Sequence, residues 1–223
     1  MIVDLNLKGK RVLIVGGGRE AARKVDALLS QRCDIVVAAE KVEPSINEHS
    51  SNGKINLELR KIESVDIIKK NEPLDMILAV TDDRKLNREI VQYARTRNCY
   101  AYAADDPEVS DFSHPAVINV GDVVQVAIST GGRSPLMSKT LREKVEPVVI
   151  NVINGLILDQ IKLQEQLRVS AQEILPSPDQ RKKFLVSLRD DEEVLKLLDA
   201  KKFSEANRLA NKLLDAYAQK ISG

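Results

Sequence analysis

Between positions 10 and 103 the chain alternates two patterns of apolar and polar residues. Short uninterrupted apolar runs rich in Val and Ile occur in "RVLIV" (11–15), "DIVVA" (34–38), "INLEL" (55–59), "DMILAV" (75–80) and "CYAYA" (99–103). Runs of that length and composition predict strands. Between the first two, Ala21, Ala22, Val25, Leu28 and Leu29 fall on one face of a helix; between the last two, Leu86, Ile90, Val91 and Ala94 do the same. Strand and helix in alternation predict an α/β fold with a Rossmann-type parallel sheet joined by right-handed crossovers.

The pattern changes at "DDPEVSDFSHPAV" (105–117), where two prolines and clustered turn residues interrupt it. "VVQVAIS" (123–129) then predicts one more extended strand, and the glycine-bearing "STGGRSP" (129–135) follows it. A lone strand needs a partner, and the same segment of a second copy is the one expected. Ser134 and Pro135 have the order of an N-cap and a first helical residue. From there the spacing predicts one helix from 136 to about 167, a break at "LPSPDQ", and two shorter helices over 184–200 and 203–220.

Three consecutive glycines end the first strand, and Gly16, Gly18 and Ala21 fit G-x-G-x-x-A at a strand-to-helix junction. In that context Gly16 permits the tight turn, Gly18 lets a pyrophosphate approach the backbone, and Ala21 lets helix and sheet pack closely. Arg19 and Glu20 open the helix whose N-terminus favours the phosphate charge. Glu40 closes the second strand, where an acidic residue holds the adenosine ribose. The adjacent Lys41 complicates the choice between NAD and NADP, and NAD is expected. "AVTDDRKLN" leaves the fourth strand at the edge where open α/β sheets bind ligands, which places Thr81 and Asp82 toward the nicotinamide side. Asp83 has the position of a helix cap, with Asn87 facing inward.

Composition narrows the function classes. The 223 residues carry 34 basic and 33 acidic side chains, so no global charge points to nucleic acid or an anionic membrane. The absence of Trp and an aromatic content of 3% argue against base-stacking platforms. Cys33 and Cys99 lack metal-ligand spacing and suit buried thiols of a reducing, cytoplasmic compartment, and no metal site is expected. No apolar stretch has the length of a membrane span.

"VLIVGGGREAARKVDALL", "AVTDDRKLN", "YAADDPEVSDFSHPAV" and "VAISTGGRSP", in this order and spacing, resemble the precorrin-2 dehydrogenase family, the module that also forms the N-terminal part of siroheme synthase. The resemblance runs from about position 5 to 146. It implies an NAD-dependent oxidation of precorrin-2, a polycarboxylate tetrapyrrole, to sirohydrochlorin, carried out by a homodimer. It also implies a division into a dinucleotide-binding domain (1–113), a dimerisation segment with the substrate loop (114–150) and a helical domain (151–223). Asp105 corresponds to the aspartate to which the family's chemistry is ascribed, and a carboxylate there suits removal of the proton that accompanies hydride loss. In "STGGRSP", Gly131 and Gly132 bring backbone close to a ligand, Ser129 and Thr130 offer hydroxyls, and Arg133 offers a bidentate fork to a substrate carboxylate. His114 stands where family members often carry an apolar residue, and a polar contact is expected of it. Two alternatives stay open: an enzyme that also inserts ferrous iron into the product, and a non-catalytic NAD(H)-sensing module.

Overall fold

The computed structural model describes residues 2–222. The chain divides into two compact units between His114 and Pro115.

In the first unit, β1 (Arg11–Val15), β2 (Asp34–Ala39), β3 (Asn56–Leu59), β4 (Met76–Ala79) and β5 (Tyr100–Ala103) form one parallel sheet in the order β3-β2-β1-β4-β5. The reason for the uninterrupted apolar runs lies in β1. Leu13 and Val15 pack into a core with Leu86, Ile90, Val91 and Ala94 of α4 (Arg84–Thr96) and Ile67 and Ile68 of α3 (Asp66–Asn71). Val12 and Ile14 pack on the opposite face with Ala21, Val25 and Leu28 of α1 (Arg19–Leu29) and Ile46 of α2 (Pro44–Ser51). With both faces covered, every residue from Val12 to Val15 is fully buried, each worth about 1.5–3 kcal/mol relative to exposure. The helical faces read from the sequence are those that pack, with one addition: Lys24 lies among the buried residues of α1.

The second unit opens with β6 (Ala116–Val120), which pairs antiparallel with β7 (Val124–Ile128), Ala116 opposite Ile128. The strand in "VVQVAIS" therefore has a partner in its own chain, and the expectation that it must pair with a second copy is corrected. Five helices follow: α5 (Pro135–Val152), α6 (Gly155–Ile174), α7 (Pro178–Arg189), α8 (Glu192–Asp199) and α9 (Phe203–Ser222). The long helix expected from 136 to about 167 is broken at Asn154, whose side chain caps α6 by accepting from Ile157 N. The helix expected over 184–200 is likewise divided, because Asp191 accepts from the backbone of Glu193 and Val194 and starts α8. Ser177 and Gln180 form a capping box at the start of α7, where a break was expected. Leu163, Leu167 and Ala171 of α6, Phe184 and Leu188 of α7, Val194 and Leu198 of α8, and Ala206, Ala210 and Leu214 of α9 make the core of this unit.

Candidate functional site

The order β3-β2-β1-β4-β5 reverses direction between β1 and β4, and at such a point the loops leaving the two strands part and leave a crevice at their C-terminal ends. A cavity of about 600 Å3 lies there, lined by Gly16, Gly17 and Gly18 after β1, Glu40 and Lys41 after β2, and Thr81 and Asp82 after β4.

Each glycine has its own constraint. Gly16 takes a φ of +124°, and a Cβ on it would stand 2.5 Å from the Val80 carbonyl oxygen. At Gly17 a Cβ would lie 2.0 Å from the Lys41 carbonyl oxygen, so the turn after β1 is pressed against the loop after β2. Gly18, the N-cap of α1, is different: a Cβ there meets nothing within 4 Å. The empty space beside Gly18 is the open mouth of the cavity at a helix N-terminus, where the first backbone N–H groups have no intrahelical acceptor. Those donors and that clearance fit a pyrophosphate. The sequence motif assigns no role to Gly17, yet it is the most tightly confined of the three.

Glu40 and Lys41 are both exposed at the end of β2 and reach the same cavity, as does Lys61. Arg19 and Glu20 are not among its lining. Arg19 is exposed, and Glu20 turns along the helix to Lys24 at 3.1 Å and Arg23 at 3.4 Å. Ala21 is fully buried against the sheet, where only a small side chain lets the helix approach.

Thr81 lines the cavity, but its side chain is engaged in the turn. Its hydroxyl lies 2.7 Å from Asn87 Oδ1 and 3.2 Å from the Asp83 carbonyl, and it accepts from Asp83 N at 3.1 Å. Asp83 caps α4 by accepting from Lys85 N and Leu86 N. Asn87, fully buried, accepts from Thr81 N at 3.2 Å and donates through Nδ2 to the Thr81 carbonyl at 2.9 Å and to Asp105 Oδ1 at 2.8 Å.

Asp105 stands just past the end of β5, with its side chain 32% exposed and Arg84 Nε 3.5 Å from Oδ2. Its neighbour Asp106 is buried and gripped by Arg88. That hydrogen bond holds the Asp106 carboxyl below the usual carboxylate range, outweighing burial, which acts the other way.

A second cluster adjoins β5 on the α1 face. Lys24 Nζ lies 4.9 Å from the centroid of the Tyr102 ring, and burial pushes its pKa down against the opposing pull of Glu20. His114 meets Tyr102 and Phe112 edge-on, with centroids 4.8 and 5.4 Å away, so its contacts are aromatic rather than the expected polar one. The residue as a whole is exposed, but its ring packs against the other two, which stack on each other with centroids 5.6 Å apart. Burial and then the charge of Lys24 push its pKa down.

The Ser129–Arg133 stretch belongs to the second unit. Gly131 and Gly132 turn the chain at φ of 63° and 79°, with open space beside both. Ser129 Oγ accepts from Gly131 N at 3.1 Å. Thr130 Oγ1 accepts from Ser134 N at 3.0 Å and lies 3.0 Å from Ser138 Oγ, which ties the turn to the start of α5. Arg133 is exposed and makes no ion pair among the described residues. Cys33 and Cys99 are free thiols, and burial pushes Cys99 up to about 12. Among the described residues no group of three or more His, Cys, Asp or Glu side chains is placed to hold a metal ion. No helix among them is long and apolar enough to cross a membrane.

A five-stranded parallel sheet, a glycine turn after its central strand and a cavity at the switch point define a Rossmann-type dinucleotide-binding protein. A family described as "Putative NAD(P)-binding" matches residues 3–116. The siroheme synthase of Methylococcus capsulatus is 33% identical over 182 residues, 82% of this chain and 36% of that protein. Siroheme synthase 3 of Aeromonas hydrophila is 30% identical over 207 residues, covering 93% of this chain and 42% of its own length. The chain thus spans between a third and a half of the length of these relatives. A solved structure titled SirC, precorrin-2 dehydrogenase, has the same fold, with a TM-score of 0.70 at 24% identity over 95% of this chain and 99% of that one. The chain belongs to this NAD(P)-binding family, and siroheme synthases are among its relatives. That membership agrees with the nicotinamide dinucleotide expected from the glycine turn.

Proposed function

We propose that the protein oxidises precorrin-2 to sirohydrochlorin with NAD as hydride acceptor. The observation that carries the reading is the position of Asp105: it leaves β5 at the same sheet edge as the glycine turn and is joined to the Thr81 turn of the dinucleotide cavity through Asn87. The names of the siroheme synthase relatives support the substrate class. Gly16, Gly17 and Gly18 would hold the pyrophosphate, Glu40 the adenosine ribose, and the Thr81–Asp82 turn would flank the nicotinamide. NAD, when bound, supplies a two-electron acceptor. The chain's own part is to orient the reactants and to take up a proton: removing hydride from a ring carbon leaves a cation that is neutralised when a proton departs, and Asp105 is placed to receive it. Arg133 and the Ser129–Gly132 turn would meet the rim carboxylates of the tetrapyrrole, a fork-to-carboxylate match. An acidic residue at the end of β2 favours NAD over NADP, because a 2′-phosphate would face Glu40.

The reading extends to assembly. Met137, Leu141, Val145, Val148 and Val152 recur along one stripe of α5 and are all exposed, from 37% at Val145 to 62% at Val148. A second copy laid against that stripe would bury it, which supports a homodimer. Sedimentation at micromolar concentration tests this, and a stable monomer would refute it.

The activity is tested anaerobically with precorrin-2 and NAD, following NADH and sirohydrochlorin together. Equal amounts of both are expected. NAD binding with no product would instead favour a sensor. Ferrous iron added afterwards reads out whether the protein also inserts the metal.

A further inference from the structure

Three side chains in the first two turns of α4, at positions 84, 87 and 88, share one helix face and meet the end of β5. Each holds part of the Asp105–Asp106 pair: Arg84 faces Asp105 Oδ2 at 3.5 Å, Asn87 donates to Asp105 Oδ1 at 2.8 Å, and Arg88 grips Asp106. Asn87 differs from the two arginines. It is fully buried, it is uncharged, and both of its N–H donors and both acceptor sites of its oxygen are used. Its orientation is fixed by its neighbours, since a flipped amide would set its oxygen against the Thr81 carbonyl and the Asp105 carboxylate. A saturated buried amide of this kind holds one arrangement.

We propose that Asn87 is the positioning residue of the reaction: it pins Oδ1 of Asp105, so that Oδ2 is the oxygen that receives the proton, and it ties that carboxylate to the Thr81 turn lining the dinucleotide cavity. This rests on Asp105 being the proton acceptor. A carboxylate held through one oxygen no longer rotates freely about its terminal bond, and the other oxygen points to one place. When substrate is oxidised, a ring C–H bond breaks, its electron pair leaves with the hydrogen as hydride, and a proton is lost from the resulting cation. Oδ2 takes that proton to give a neutral carboxylic acid, which then returns it to water. Oδ1 remains a carbonyl-type acceptor throughout, so the Asn87 hydrogen bond survives the step unchanged. Arg84, with its side chain 70% exposed, pairs with Oδ2 only as a surface cation and is free to leave it when substrate arrives.

The test is Asn87→Asp, combined with Asp105→Asn. Asn87→Asp keeps an acceptor for the Thr81 N–H and hydroxyl but replaces the donor facing Asp105 with a carboxylate oxygen. Turnover of precorrin-2 is expected to fall about 10²-fold, as misplacement of a catalytic group does, while NAD affinity read from thermal stabilisation stays within about threefold. In the double variant the effects must not multiply: Asn87→Asp is expected to slow Asp105→Asn no further, because the group it positions is already gone. If Asn87→Asp does not fold, as its melting curve will show, Asn87→Ser enters the same cycle with the same expectation. Turnover within twofold of the unsubstituted protein, or losses that multiply in the double variant, would overturn the proposal. Full turnover by Asp105→Asn alone would instead remove the proton acceptor itself, a failure visible in that single variant.

Discussion

The two units were built by different rules, and they differ in how openly the chain declares them. In the first unit the strands β1, β2 and β4 are covered on both faces, so they appear as apolar runs that end where glycine or a polar turn begins. All five strands of the parallel sheet fall within a residue of the runs that announced them. In the second unit one amphipathic period runs on through the places where helices stop. Asn154 and Asp191 end one helix and cap the next, yet either is an ordinary polar residue on a helical face until its side chain is seen to accept backbone N–H bonds. Breaks in a sheet-based unit are written in residue type, and breaks in a helical unit are written in capping geometry.

The largest expected effect sharpens that contrast in the helical unit. Phe184 is almost fully buried, packed near Tyr217 with ring centroids 5.7 Å apart. Phe184→Ala should cost about 3–5 kcal/mol and lower the melting transition, while NAD, which sits in the other unit, still binds. Loss of NAD binding in that variant would show that the two units do not stand independently.

Within the first unit, the glycines divide structure from ligand. Gly17→Ala forces a Cβ into the Lys41 carbonyl and should destabilise the protein by about 3 kcal/mol, as overpacking does, measured by denaturant unfolding without cofactor. Gly18→Val meets open space and should leave that midpoint nearly unchanged. It should instead abolish the stabilisation that NAD confers, about 2.7 kcal/mol at a hundredfold excess over Kd. Equal losses of intrinsic stability in both variants would erase the distinction. The smallest effect tests the capping rule: Asp191→Ala should cost about 1 kcal/mol, whereas a mid-helix surface substitution there would cost almost nothing.

What was hidden from the sequence had physical reasons. The helix α2 buries only Ile46, so no period is visible in it, and His49 sits in its last turn 3.0 Å from Asp26. The strand β6 follows a turn that carries two prolines, and its pairing with β7 depends on register that composition does not encode. At the site, the cavity lining at Gly16, Gly18, Glu40, Lys41, Thr81 and Asp82 was legible because strand ends and glycines mark it. Gly17 was not, because its confinement comes from the Lys41 carbonyl of another loop. Lys24 is another such case: it lies on the apolar face of α1 under Tyr102, a contact made across the fold between residues far apart in the chain.

The central claim is that one carboxylate past β5 takes up the proton at a site whose neighbouring cavity binds NAD, and Asp105→Asn addresses it most directly. The substitution keeps size and turn preference while removing the proton-accepting carboxylate. Initial NADH formation with precorrin-2 and NAD affinity are measured on the same preparation. Turnover about 10²-fold slower with NAD affinity unchanged is the expected result, and near-normal turnover would contradict it.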